Sequence, residues 1–399
     1  MSERAMVRQL RAIAPVLISV VFLEISASAY GPIIGVQLTL RDVPAAMIGT
    51  IASAYFIGFA SGSLLAGRML DRVGHIRALS VFAILALDTA LLMVLFDHPW
   101  TWLVLRCIAG FAMAGIWVTI ETWLSHKAAA SARGRVFGVY MLVSSGFSAL
   151  APLLLTVADP AGATVFLVIA ICYAAGIVPM ALTRESNPEI ADRARFGIVK
   201  LYAISPLGVA TAFGSGLAGT AFVNLLPVYT QGAGLTPTDF ALLLFISRTG
   251  NLLCQYPVGQ ASDRVGRRPM ILAAAMLGLA GALVGLVHGA QSHLALVAAA
   301  VIFTIATSPL YALAISYAND NCAPRDIVAA NGGLLSVWAI GGIAGPTVAG
   351  WTMQALGPDG LFVYLAATLA ALTLFALYRM TRRPAPPPRP REGDQAKAG

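Results

Sequence analysis

Glu24, Arg106 and Arg248 are ionisable side chains inside long apolar runs of this chain. A charge held in hydrocarbon is costly unless it is paired or faces water, so each marks either a polar pathway or a fixed contact. Glu24 stands among Ser26, Ser28 and Tyr30, and Arg248 lies close to Ser247, Asn251 and Gln255. A carboxyl so placed can load and release a proton, and a guanidinium can hold an anionic group. A static ion pair or a helix-packing contact would use the same residues. Arg106 opens its run as Arg106-Cys107-Ile108-Ala109-Gly110, where it either enters a polar site or snorkels to outer headgroups. Tyr55, Asn224, Gln231, Tyr256, Tyr311 and Trp338 are further residues for a cavity wall, although helical phase alone does not fix which way they face.

A charged turn between apolar runs occurs twice, as Gly67-Arg68-Met69-Leu70-Asp71-Arg72-Val73-Gly74-His75-Ile76-Arg77 and Gly259-Gln260-Ala261-Ser262-Asp263-Arg264-Val265-Gly266-Arg267-Arg268-Pro269. Gly, Asp, Arg, Val and Gly recur at one spacing 192 residues apart, so the chain reads as two fused halves. An Asp that meets the N-terminus of another helix gains about 0.3–2 kcal/mol from its dipole. A solvated, topology-setting basic loop is the alternative. Glu121 near the end of one run, with Arg133 and Arg135 opening the next, puts an acid and two arginines at one level, as a gate or a clamp. His75 is either a pH-sensing member of its turn or a packing residue, and Asp88 is an acid within a peripheral run.

Other chemistry is missing from the pattern. No Walker loop, metal-ligand cluster or nucleophile–base pair is present, and Gly214-Ser215-Gly216 lies inside an apolar run rather than at a strand-to-helix turn. Cys107, Cys172, Cys254 and Cys322 have neither metal-like nor disulfide-like spacing. The expectation is therefore no enzyme, no cofactor and no metal. The net charge of +8 comes without a Lys/Arg stripe interleaved with aromatics, so no nucleic-acid partner is expected.

With 58% hydrophobic and 11% charged residues, the chain is far too apolar for a soluble domain, where about a quarter of residues are charged. Runs long enough to span a bilayer fall near 13–40, 46–67, 77–96, 100–124, 135–156 and 162–183, then 201–231, 238–261, 269–288, 294–318, 328–355 and 359–380. This predicts an all-α membrane protein of twelve transmembrane helices. Its halves are 1–183 and 201–380, with a central loop at 184–200 and a Pro-rich, disordered tail at 381–399. The basic leader before the first run is expected to stay, since no cleavage site follows. With both termini in the cytoplasm, 23 of the 26 basic residues fall on the cytoplasmic side, which fixes the orientation. Pro152 and Pro346 sit at near-equal offsets in the two halves, as do Arg133 and Arg325. Small residues crowd both places: Gly134, Gly138 and Gly146, then Gly332, Gly341, Gly342, Gly345 and Gly350. Tight packing and a pair of gating helices both suit that composition.

The two Gly-x-x-x-Asp-Arg-x-Gly-Arg-like turns, among twelve apolar runs, resemble the signature loop of the major facilitator superfamily. Glu121 to Met141, Asp71 to Arg77, and Tyr317-Ala318-Asn319-Asp320 with Ala329 to Leu335 resemble its YcaD-like branch. The resemblance implies two pseudo-symmetric six-helix halves. It places Asp71 near the start of span 11 and Asp263 near the start of span 5, in contacts made only when the cytoplasmic side is closed. The gate it implies comprises Gly67, Asp71, Arg72, Gly74, Arg77, Glu121, Arg133, Arg135, Gly259, Asp263, Arg264, Gly266 and Arg268. The substrate or proton site comprises Glu24, Tyr30, Arg106, Arg248, Asn251, Gln255 and Trp338. Arg106-x-x-x-Gly110 is similar to an element of proton-coupled exporters, with Ala109 where those usually carry Gln. The expected function is transport of a small solute by alternating access in a bacterial-type inner membrane, as proton-coupled efflux by a monomer among membrane lipids. A uniporter, an importing symporter and a non-transporting membrane sensor are the alternatives.

Overall fold

The computed structural model describes residues 3–127, 132–183, 197–323 and 326–382, with side chains from residue 13 onward except that of Val328. Arg184 to Arg195 of the expected central loop, Arg325 and the tail from residue 383 lie outside the described residues. The described residues contain no strand. The first half comprises α1 (Glu3–Leu40), α2 (Ala45–Val73), α3 (His75–Leu95), α4 (Pro99–Lys127), α5 (Arg133–Leu150), α6 (Leu154–Val157) and α7 (Thr164–Ala181). The second comprises α8 (Ile198–Ile204), α9 (Pro206–Gly232), α10 (Pro237–Val265), α11 (Arg267–His288), α12 (His293–Asp320), α13 (Ile327–Leu356) and α14 (Gly360–Arg382).

Counting α5 and α6 as one, eleven elements are long and apolar enough to cross a membrane. The 29-residue α10 is the twelfth by length, and Arg248, Asn251 and Gln255 dilute its apolar character. The matched prolines behave differently. Pro152 falls in a 3-10 turn, Ala151–Leu153, that interrupts the fifth span, whereas Pro346 lies inside an unbroken α13. The seventh span also starts later than its apolar run suggests, because Pro206 takes the first helical position of α9 after the short α8.

Each signature turn is a single residue between two helices. Gly74 (φ 81°) and Gly266 (φ 101°) hold the left-handed region that residues with a Cβ resist. Their N–H groups donate to Leu70 and Ser262 carbonyls at 2.8 and 3.1 Å. These two glycines therefore set the angle at which α2 turns into α3 and α10 into α11. α10 starts with a capping box: Asp239 N–H donates to Thr236 Oγ1 (3.2 Å) and Thr236 N–H to Asp239 Oδ2 (2.9 Å). Arg41, the one basic residue expected on the outer side, pairs with Asp97 and lies 4.7 Å from the Trp102 ring centre.

Between the halves, α2 packs on α13, α1 on α9, and α5 with α6 on α10. Exchanging every span with the one six places along maps the α2–α13 contact onto α10–α5 and α1–α9 onto itself. That is the pairing two six-helix halves make about an axis running between them. The seam is closed at the face opposite the signature turns. A Cβ added at Gly49 would lie 2.1 Å from the Pro346 carbonyl oxygen, one at Gly350 2.5 Å from that of Ala45, and one at Gly35 3.0 Å from that of Asn224. At the face carrying the signature turns, a Cβ at Gly67, Gly134, Gly138, Gly259 or Gly332 would meet nothing within 4 Å. No close approach of the halves is made at those glycines.

Candidate functional site

Packing of α2 on α4 builds the upper part of the site. Gly58 and Gly62 form a Gly-x-x-x-Gly pair on α2. A Cβ at Gly58 would sit 1.7 Å from the Cys107 carbonyl oxygen, and one at Gly110 on α4 1.9 Å from that of Tyr55. Two backbones in such contact require glycine at the crossing. Arg106 is one helical turn from Gly110, and the crossing sets its guanidinium 4.5 Å from the Tyr55 ring centre and 5.5 Å from that of Tyr30. Arg106 is 4% exposed, so it does not snorkel to the surface. It makes no hydrogen bond or ion pair among the described residues. The Tyr30 hydroxyl donates to Thr89 Oγ1 (3.2 Å) and reaches Met93 Sδ (3.3 Å), so Tyr30 contributes its ring face rather than its hydroxyl.

Glu24 and Arg248 meet across the two halves through serines rather than directly. Ser28 and Ser144 hydroxyls donate to the two Glu24 oxygens at 2.8 and 3.0 Å, and Ser28 and Ser148 hydroxyls lie 2.8 Å apart. Arg248, from α10, donates to the backbone carbonyls of Ser148 (2.8 Å) and Ser28 (3.4 Å). Ser28 follows Glu24 by four residues, and Ser148 follows Ser144 by four, so each pair shares one helix face. That spacing was available in the sequence, yet Ser144 and Ser148 are absent from the expected site. Asn251 and Gln255 continue along α10. Asn251 Oδ1 is buried and accepts no hydrogen bond among the described residues, whereas Gln255 is exposed.

Below Arg106 a cavity of about 550 Å³ opens between the halves. Phe56 and Phe59 of α2, Tyr311 of α12 and Trp338 of α13 form one wall, and Phe222 of α9 faces Phe303 of α12 in the other. Trp338 is the hub, with ring centres 5.6 Å from Phe56, 6.3 Å from Phe59 and 6.0 Å from Tyr311. Asn224 and Tyr311 line this cavity with Trp338. The four phenylalanines escaped the sequence reading because a Phe in a span carries no polarity to single it out.

The expected gate residues gather on the basic face. Asp71, Arg72, Arg77, Glu121, Arg133, Arg135, Gly259 and Arg264 are exposed, and Asp71 has no hydrogen bond or ion pair among the described residues. Asp263 pairs with Arg267 of its own half at 2.6 Å, and Arg267 also reaches Asp320 at 3.5 Å. Arg268 donates to the Tyr317 hydroxyl at 3.0 Å. Tyr317 and Asp320 thus receive the second signature turn, through Arg268 and through Arg267, a residue absent from the expected gate. Among the described residues, Asp71 makes no hydrogen bond or ion pair to span 11 and Asp263 makes none to span 5. His75 is buried at the first turn of α3. Asp88 is exposed on α3, on the face turned away from the bundle. Asp88→Leu is expected to raise the melting temperature in lipid nanodiscs, equivalent to about 1–3 kcal/mol. A fall would mean that a polar partner occupies that face.

A family model described as Major Facilitator Superfamily matches residues 16–247 and 208–399. The uncharacterized MFS-type transporter YcaD of Escherichia fergusonii is 24% identical over 379 residues, 94% of this chain and 98% of that protein. The uncharacterized MFS-type transporter YE1530 of Yersinia enterocolitica is 26% identical over 377 residues, 94% of this chain and 96% of the other. Among solved structures, that of the nucleoside transporter NupG superposes with a TM-score of 0.76 at 13% identity, covering 92% of this chain and 98% of that one. A bacterial homolog to the human lysosomal transporter Spinster, in an inward-facing and occupied conformation, gives 0.73 at 15% identity, covering 94% and 98%. These two structural likenesses carry the fold and nothing of the solute. With both halves matched and nearly the whole length shared with the curated relatives, the chain belongs to the major facilitator superfamily, as a multi-pass membrane transporter.

Proposed function

We propose that this chain moves a small solute across the inner membrane by alternating access, with the central cavity as the solute site and protons as the driving ion. The observation that carries this reading is the Glu24 network. A buried carboxylate of the first half accepts from the Ser28 and Ser144 hydroxyls, while the backbone carbonyls of Ser28 and Ser148 seat Arg248 of the second half. Protonating Glu24 removes the negative charge opposite Arg248 and turns one carboxylate acceptor into a donor. The bracket joining α1 and α5 to α10 weakens, and the balance between the two postures of the halves shifts. The basic face is taken as cytoplasmic, which makes the present conformation inward-open. In the outward-open posture, Asp71 and Asp263 latch onto the starts of α13 and α5. Export is the preferred direction, because Arg106-x-x-x-Gly110 is similar to the element of proton-coupled exporters.

The test begins with a thermal-shift screen of metabolites and drugs on the purified chain, followed by reconstitution in proteoliposomes with the solutes that stabilise it. Solute-dependent proton movement is expected in the unmodified chain and is lost in Glu24→Gln, while exchange of solute for solute continues. Proton movement that survives in Glu24→Gln removes Glu24 from the mechanism. Flux independent of pH in the unmodified chain makes the protein a uniporter.

A further inference from the structure

We propose that the solute is an aromatic monocarboxylate, with its carboxylate on Arg106 and its ring between the two aromatic walls of the cavity. The assignment rests on the transport reading only in taking this cavity as the solute site.

Arg106 is the starting point. It is 4% exposed, with no carboxylate or hydrogen-bond acceptor on it among the described residues. The ring faces of Tyr55 and Tyr30 lie against it. A ring face attracts a cation weakly compared with what a guanidinium loses on leaving water. Other buried charges in the chain are answered, Glu24 by Ser28 and Ser144, and Arg248 by two carbonyls. The Arg106 fork is unused among the described residues, and a fork of that shape takes a carboxylate through two parallel hydrogen bonds.

Arg106 lies beside the cavity, next to a residue of its lining rather than in the lining itself. A Cβ built on Gly31 would lie 3.6 Å from an Arg106 terminal nitrogen and 3.3 Å from Asn224 Oδ1, so Arg106 and Asn224 are neighbours. Asn224 lines the cavity, and its amide nitrogen is fixed on the Thr220 carbonyl at 2.8 Å. Tyr55, beneath the guanidinium, is 5.1 Å from Phe56 and 6.2 Å from Phe59. The aromatic wall therefore begins beside the cation. Across from it stand Phe222 and Phe303, 4.5 Å apart. Six aromatic rings around about 550 Å³ favour a flat ring that stacks edge or face against them. A cation is disfavoured, because Arg106 repels it.

Three probes of one shape and different charge decide the matter: naphthoate, naphthylmethanol and naphthylmethylammonium. Each is titrated into the full-length chain in detergent by calorimetry at neutral pH. Naphthoate is expected to bind tightest and naphthylmethylammonium weakest. Arg106→Gln is expected to weaken naphthoate by about tenfold to a hundredfold while leaving naphthylmethanol unchanged, and retained naphthylmethanol binding shows that the variant is folded. Trp338→Ala is expected to weaken both. Should Arg106→Gln fail to fold, the order of the three probes on the unmodified chain decides alone. Naphthylmethylammonium binding as tightly as naphthoate, naphthoate indifferent to Arg106→Gln, or no naphthoate binding each overturns the assignment. Binding at equilibrium is separable from transport. Naphthoate that binds but never crosses a proteoliposome membrane refutes transport and keeps the site, whereas proton-coupled movement of another solute without naphthoate binding does the reverse.

Discussion

Gly110→Ala is expected to cost about 3 kcal/mol or more and to leave little folded chain. The added methyl would stand 1.9 Å from the Tyr55 carbonyl oxygen and 3.0 Å from the Phe59 nitrogen, so backbone rather than a flexible side chain blocks it. Relief requires α4 to move off α2. Because Gly58 rests reciprocally on Cys107, one methyl separates both crossings. Arg106 lies a turn away and loses its seat on Tyr55 even where the fold survives. Gly146→Ala is the control, since a Cβ there meets nothing within 4 Å and Ala is the better helix former. Melting temperature and monodisperse yield of the two variants provide the check. Equal stability would mean that the α2–α4 crossing is not as close as described.

Gly49→Ala is expected to shift the conformational balance by about tenfold toward the form open at the opposite face. Its methyl would stand 2.1 Å from the Pro346 carbonyl oxygen, at the seam where the two halves meet. On the proposed alternating-access cycle the two helices belong to halves that part, so separation would relieve the clash without unfolding either. The hydrogen bond from Thr347 to Ser53, 2.8 Å long across the same seam, breaks with it. The measurement uses a chain lacking its four native cysteines and carrying Thr347→Cys, labelled by a membrane-impermeant maleimide from outside. Faster labelling in the Gly49→Ala background is the expected result. An unchanged rate would show that this seam does not limit opening.

The twelve spans and the two halves are legible in the sequence because they rest on two coarse signals, apolar length and a repeated turn. Helix breaks are less so. Pro152 and Pro346 look equivalent on paper, yet one interrupts its span and the other does not, since neighbouring helices decide whether a freed carbonyl finds a partner. Glu24, Arg106 and Arg248 stood out as charges in apolar surroundings, and the structure places each on the inner side of the bundle. How Glu24 and Arg248 connect was not legible, because the connection runs through Ser148 of a third helix and through backbone carbonyls. The aromatic walls were hidden for a simpler reason. A Phe that faces a cavity and a Phe that faces lipid are identical in sequence, and only the rotation of each helix separates them. The contacts that the resemblance implies for Asp71 and Asp263 are not found among the described residues.

The seam at Gly49, Gly350 and Gly35 is made of backbone touching backbone, and the Arg41–Asp97 pair nearby stays within one half. Contacts of that kind carry no net charge for dissolved ions to screen. The opposite face is lined with Asp71, Arg72, Arg264 and the Asp263–Arg267–Asp320 chain, which ions do screen. Ionic strength thus acts on this molecule from one compartment only: brine on the sealed side leaves its closure untouched, while the same brine on the other loosens whatever the charged turns hold.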